Sequence, residues 1–121
     1  MAYLRGSLHR HEELKALVCA NPELVGIRKE DVISVETEFP LTKKKRAVAQ
    51  PDIVILYQGE KGVRRRFVEV KSGNCRRSRL SLEQQLKRIN NYVRWKRISG
   101  EVVGVYPVQD KLNVCTLEQY F

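Results

Sequence analysis

Three charged side chains interrupt the most apolar part of this chain. In "QPDIVILYQGEKGVRRRFVEVKSG", Gln50 to Gly73, Asp52 opens one strand-like run, and Glu69 and Lys71 close the other. With the intervening turn centred on Glu60 and Lys61, Asp52 falls directly opposite Glu69 in an antiparallel pair. Lys71 then alternates onto the same face, two residues further on. Facing carboxylates repel, and beside a core no bulk water relieves the repulsion. A hard divalent cation such as Mg²⁺ does relieve it, because it binds through one or two carboxylates together with phosphate oxygens. A lysine beside such a pair can hold, or help deprotonate, a water that attacks phosphorus.

The flanking sequence supplies the elements that must position these groups. Leu8, Leu14, Leu17 and Val18 follow a helical period between about Tyr3 and Ala20, with Ser7 a candidate N-cap. "NPELVG" reads as a short helical turn ended by Gly26. Ile33, Val35, Thr37 and Phe39 alternate with Ser34, Glu36 and Glu38, which predicts a strand with a glutamate-bearing polar face. "LTKKKRAVAQ" reads as a basic loop, and the predicted hairpin strands are Asp52–Tyr57 and Arg66–Lys71. A second basic loop, "SGNCRRSR", leads into a helix from Ser81 to about Arg97 carried by Leu82, Leu86, Ile89 and Val93. Ser81 and Gln84 match a capping box at its start, and Gly100 is placed to stop it. "EVVGVYPV" and "KLNVCTL" close the chain as strands. The expected fold is α/β, in the order α-β-β-β-α-β-β, with a central mixed sheet of about five strands flanked by helices as one domain over residues 1–121.

Composition narrows the partner. The net charge is +9, and residues 41–100 hold 17 Lys and Arg against 4 Asp and Glu. Charge concentrated in this way points to a polyanion, above all nucleic acid. Cys19, Cys75 and Cys115 are too scattered for a zinc site or a disulfide framework and read as reduced thiols. With no long apolar run, the expectation is a cytoplasmic protein without membrane contact, free to associate with the nucleoid.

At "Pro51-Asp52 … Glu69-Val70-Lys71" the chain resembles the PD-(D/E)XK superfamily of restriction-endonuclease-like nucleases, including Holliday junction resolvases and RecB-like nucleases. The predicted helix–strand–strand–strand–helix–strand order matches the core of that family. The resemblance implies an Mg²⁺ or Mn²⁺ ion held by Asp52 and Glu69, with the Val70 carbonyl as a further ligand and Lys71 catalytic. It also implies a ligand from the first helix, where "HRHEEL" offers His11, then Glu12, then Glu13. Resolvase-like and RecB-like members place a glutamine in the following helix. Gln85, one turn before Ile89 on the inward side, is the candidate here ahead of Gln84. Ile89 stands where RecB-like members often carry a tyrosine.

The remaining cations suit a phosphate track of Lys43, Lys44, Lys45 and Arg46 before the motif and Arg76, Arg77 and Arg79 after it. Arg64, Arg65 and Arg66 fall at the far end of the hairpin. The resemblance thus implies a DNA endonuclease, structure-selective in repair or recombination and acting on branched or duplex DNA. A homodimer would supply two such sites. The alternatives are a non-catalytic basic nucleic-acid-binding module on the same fold and an accessory subunit of a larger nucleoprotein assembly.

Overall fold

The computed structural model describes residues 8–109 and 111–117, so the predicted cap Ser7 and the helix start at Tyr3 lie outside the described residues. Helix α1 spans Leu8–Ala20, and a 3-10 turn at Pro22–Val25 ends at Gly26 in a left-handed conformation (φ 82°). Strand β1 (Val32–Thr37) follows. Next come two short strands, β2 (Leu41–Lys43) and β3 (Arg46–Ala49), then β4 (Ile53–Gly59), β5 (Gly62–Val70), helix α2 (Arg76–Trp95), β6 (Gly100–Val108) and β7 (Lys111–Cys115). Five strands form one mixed sheet in the order β1-β4-β5-β6-β7. All neighbours are antiparallel except β5 and β6, which are parallel across the α2 crossover.

The central strands are buried on both sides, which is why they read as nearly continuous apolar runs. Ile53, Ile55, Tyr57, Val68, Val70, Val103 and Val105 face Leu14 and Val18 of α1. Val54, Phe67 and Val102 face Leu82, Leu86, Ile89, Tyr92 and Val93 of α2. The hairpin register is the one the sequence predicts: Ile53 pairs with Val68 and Gly59 with Gly62, so Asp52 and Glu69 come next to each other where the strands end. Gly100 opens β6 and does not stop α2, which ends at Trp95. A Cβ there would come within 2.1 Å of the Arg65 carbonyl oxygen, so the close approach of β5 and β6 requires glycine.

Two further expectations are corrected. The segment "LTKKKRAVAQ" is a two-stranded ribbon beside the expected five-stranded mixed sheet, giving seven strands among the described residues. Its turn, Lys44-Lys45, has φ of 49° and 66°, the left-handed pair of a type I′ hairpin, where asparagine and glycine are the usual signal. Helix α2 begins at Arg76 behind Cys75, so Ser81 and Gln84 lie within the helix and cap nothing. A polar first turn, "RRSR", hides that start from apolar periodicity.

The expected inward faces are also partly exposed. Leu8, Leu17, Ile33, Val35 and Phe39 are accessible to solvent. One helix about 10 Å wide spans roughly two strands at about 4.8 Å spacing, so α1 covers the sheet centre and leaves the edge strand β1 open. No helix among the described residues is long and apolar enough to cross a membrane.

Candidate active site

The loop that follows β5 meets the starts of α1 and α2 at a cleft of about 650 Å³, lined by Leu8, His11, Lys71, Ser72, Gly73, Arg77, Ser78 and Ser81. Two of these side chains connect it to the carboxylate pair. His11 Nε2 stands 3.2 Å from Asp52 Oδ2, and the charge of Lys71 acts on Glu69.

Besides His11, three groups hold Asp52. Its Oδ2 accepts a 2.7 Å hydrogen bond from the Val70 amide, and its backbone carbonyl accepts one of 3.0 Å from the Glu38 amide. Glu69 is its third partner, through a hydrogen bond between the two carboxyl groups. At that point the chain has left the β4–β5 ladder, so the Val70 amide turns to a side chain for its partner.

Glu69 is only 6% exposed. Burial, then the hydrogen bond and charge of Asp52, push its carboxyl far above the usual range, to about 10. Lys71 and the Val70 amide oppose the shift without cancelling it. Without a cation, therefore, Glu69 is protonated at neutral pH and donates its proton to the Asp52 carboxylate. Two carboxyls that share one proton have an unmet demand for positive charge.

Gln85 adds a second unmet demand. Its Oε1 is buried without a hydrogen-bond partner, and it lies one helical turn beyond Ser81 of the cleft. Gln84 is exposed. These two observations fit a hydrated divalent cation better than they fit a closed core. Among the described residues, no three His, Cys, Asp or Glu side chains converge into a ready-made cage. Mg²⁺ does not need one, since it keeps several waters and uses one or two protein carboxylates with substrate oxygens.

The other first-helix candidates are engaged elsewhere. Glu12 straddles the ammonium of Lys15, with both carboxylate oxygens 3.2 Å from Nζ, and only its flank reaches His11 Nδ1 at 3.6 Å. Glu38 closes on the same ammonium at 3.1 Å. Glu13 pairs with His9 on the exposed face of the helix. This Lys15 cluster carries no signal in the sequence, because Lys15 falls between apolar positions where a solvated lysine is the default expectation. It pins α1 to the end of β1, beside the backbone of Asp52.

The basic residues divide into separate groups. Arg77 lines the cleft. Arg76 and Arg79 line a different groove of about 450 Å³, with Leu80, Tyr106, Asn113 and Cys115. Lys43 lies over the ring of Trp95 at 4.3 Å, while Lys44, Lys45 and Arg46 are exposed at the ribbon tip. Arg64 and Arg66 are tied to Glu101, and Arg66 also reaches the Val25 carbonyl and the Tyr57 hydroxyl, so both serve the fold. The single track expected along the chain is therefore three patches. No family model, curated protein or solved structure matches this chain.

Proposed function

We propose that this chain is a divalent-metal-dependent DNA endonuclease of the PD-(D/E)XK type, resembling Holliday junction resolvases in size and acting on branched or duplex DNA. The observation that carries this reading is the Asp52–Glu69 pair beside Lys71 and His11 at an open cleft, with Glu69 buried and its carboxyl pushed far up by that burial and by Asp52. A carboxyl kept protonated by its neighbour is costly in a purely structural role and useful where a cation replaces the proton.

Asp52 and Glu69, with the Val70 carbonyl and His11, would hold Mg²⁺ or Mn²⁺. Bound there, the ion supplies Lewis-acid stabilisation of the charge that develops on phosphorus. Lys71 orients the attacking water and balances the charge of the hydroxide that forms, whose proton leaves to solvent through the open cleft. Gln85, with its unpartnered amide oxygen, accepts a hydrogen bond from water in the cleft. Arg77 at the rim holds a flanking phosphate. The Val70 amide and His11 fix the Asp52 carboxylate, so its orientation is set before substrate arrives.

A second reading is a non-catalytic nucleic-acid-binding module. It is favoured by the absence, among the described residues, of a ready-made cage of three His, Cys, Asp or Glu side chains. The two separate when the pure protein is incubated with linear, nicked, forked and four-way DNA, in Mg²⁺ and in EDTA. The nuclease reading expects cleavage only with the divalent ion, strongest on branched DNA. Stable DNA binding with no cleavage of any form in either Mg²⁺ or Mn²⁺ establishes the second reading.

A further inference from the structure

The ribbon β2–β3 has no counterpart in the sequence-based expectation. It leaves the main sheet after β1 and packs Leu41 into the core against α2. Beyond Lys43, which rests on Trp95, its tip presents Lys44, Lys45 and Arg46 to solvent, with no acidic residue in the ribbon. Both turn lysines occupy left-handed backbone, at φ 49° and 66°. L side chains take that conformation at a cost, whereas Asn-Gly takes it freely. Two cations are thus carried where the turn itself disfavours them, which marks a surface built for charge.

Its position relative to the cleft is bounded in two ways. Trp95, under Lys43, is 18 residues along α2 from Arg77, or about 27 Å at the helical rise. Lys45 is seven residues from Asp52 in the chain, which caps their separation at roughly 24 Å. Arg77 and Trp95 are therefore too far apart for one phosphate to reach both ends of α2. The cap keeps Lys45 within about seven base pairs of Asp52 along a duplex, at roughly 3.4 Å per pair.

We propose that the ribbon is a second, remote backbone clamp for duplex nucleic acid, which engages an arm that extends about seven to eight base pairs beyond the cleft. The proposal rests on the nuclease reading only for what occupies the near end of that arm. The ribbon contacts phosphates without reading bases, so it selects duplex arms by length and not by sequence.

The test uses binding in EDTA, where cleavage plays no part, to DNA hairpins with stems of 5 and 14 base pairs over a range of salt. The variant is Lys44→Asn, Lys45→Gly, Arg46→Thr, which suits the type I′ turn better than the parent and so preserves the ribbon. For the parent, the salt slope should steepen from the short to the long stem. The variant should lose that step, by roughly 0.9 per phosphate contact and up to about 2.7 in all. Doubling the salt then costs the parent up to about sixfold more affinity than the variant on the long stem. A variant that keeps the parent's step overturns the proposal, as does a parent with no step. If neither protein cuts DNA in Mg²⁺ while the step is still lost in the variant, the nuclease reading fails and the clamp stands.

Discussion

Replacing Glu69 by glutamine tests the shared proton directly. In the folded protein, burial and then Asp52 raise the Glu69 carboxyl from 4.5 to about 10, so the native state holds a proton that the unfolded chain releases. A group raised in this way contributes stability that is fully present below its unfolded value and is lost as pH climbs toward its folded one. In EDTA the parent should therefore lose about 1.4 kcal/mol of stability per pH unit across neutrality, or roughly 2.7 kcal/mol from pH 6 to pH 8. That is a large share of the ~5–15 kcal/mol typical of a domain. Glu69→Gln keeps the shape and the donor and has nothing to ionise, so its curve should lack this slope. The assay is urea unfolding of both proteins at several pH values, and the parent-minus-variant difference cancels every other titrating group. Saturating Mg²⁺ should flatten the parent's curve, because a bound cation takes the place of the proton, and should leave the variant unchanged. Parallel curves for parent and variant in EDTA would refute the shared proton.

Further outcomes follow from the same geometry. Lys71→Ala should lower the single-turnover cleavage rate by ~10²–10⁴-fold while DNA affinity changes little, measured on labelled duplex. His11→Ala should weaken apparent Mg²⁺ affinity by about 10–100-fold in a metal titration of activity, whereas Glu13→Ala should leave it at the parent value. Lys15→Met should destabilise the fold by about 1–3 kcal/mol in urea unfolding. It leaves Glu12 and Glu38 facing each other, and their half-exposed positions temper the cost.

The hairpin and its carboxylate pair were legible because two apolar runs joined by a two-residue turn leave a single register, and that register sets Asp52 beside Glu69. The helix faces were legible where a full stripe is buried, as in Leu82, Leu86, Ile89 and Val93 of α2. Apolar pattern failed where burial depends on what covers a strand. Ile33 and Val35 look inward by alternation but lie on an edge that α1 does not reach. The ribbon was invisible because its turn is written in lysines, and the start of α2 because its first turn is written in arginines. At the site, the sequence offered His11, Glu12 and Glu13 as near equals. Only the tertiary placement of Lys15 and His9 shows which carboxylates are already occupied and leaves His11 beside Asp52.

The central claim is that Asp52 and Glu69 form a metal-dependent phosphodiesterase centre, and single-site nicking measures it most directly. Supercoiled plasmid is incubated with the pure protein across an Mg²⁺ titration, alongside Asp52→Asn at equal concentration and a control in EDTA. The account predicts conversion to nicked circles that saturates with Mg²⁺ in the parent and is absent in EDTA. It predicts at least a hundredfold loss in Asp52→Asn, with DNA binding retained or tightened because a negative charge near the phosphates is gone. Nicking by Asp52→Asn at the parent's rate, or nicking by the parent that persists in EDTA, would contradict it.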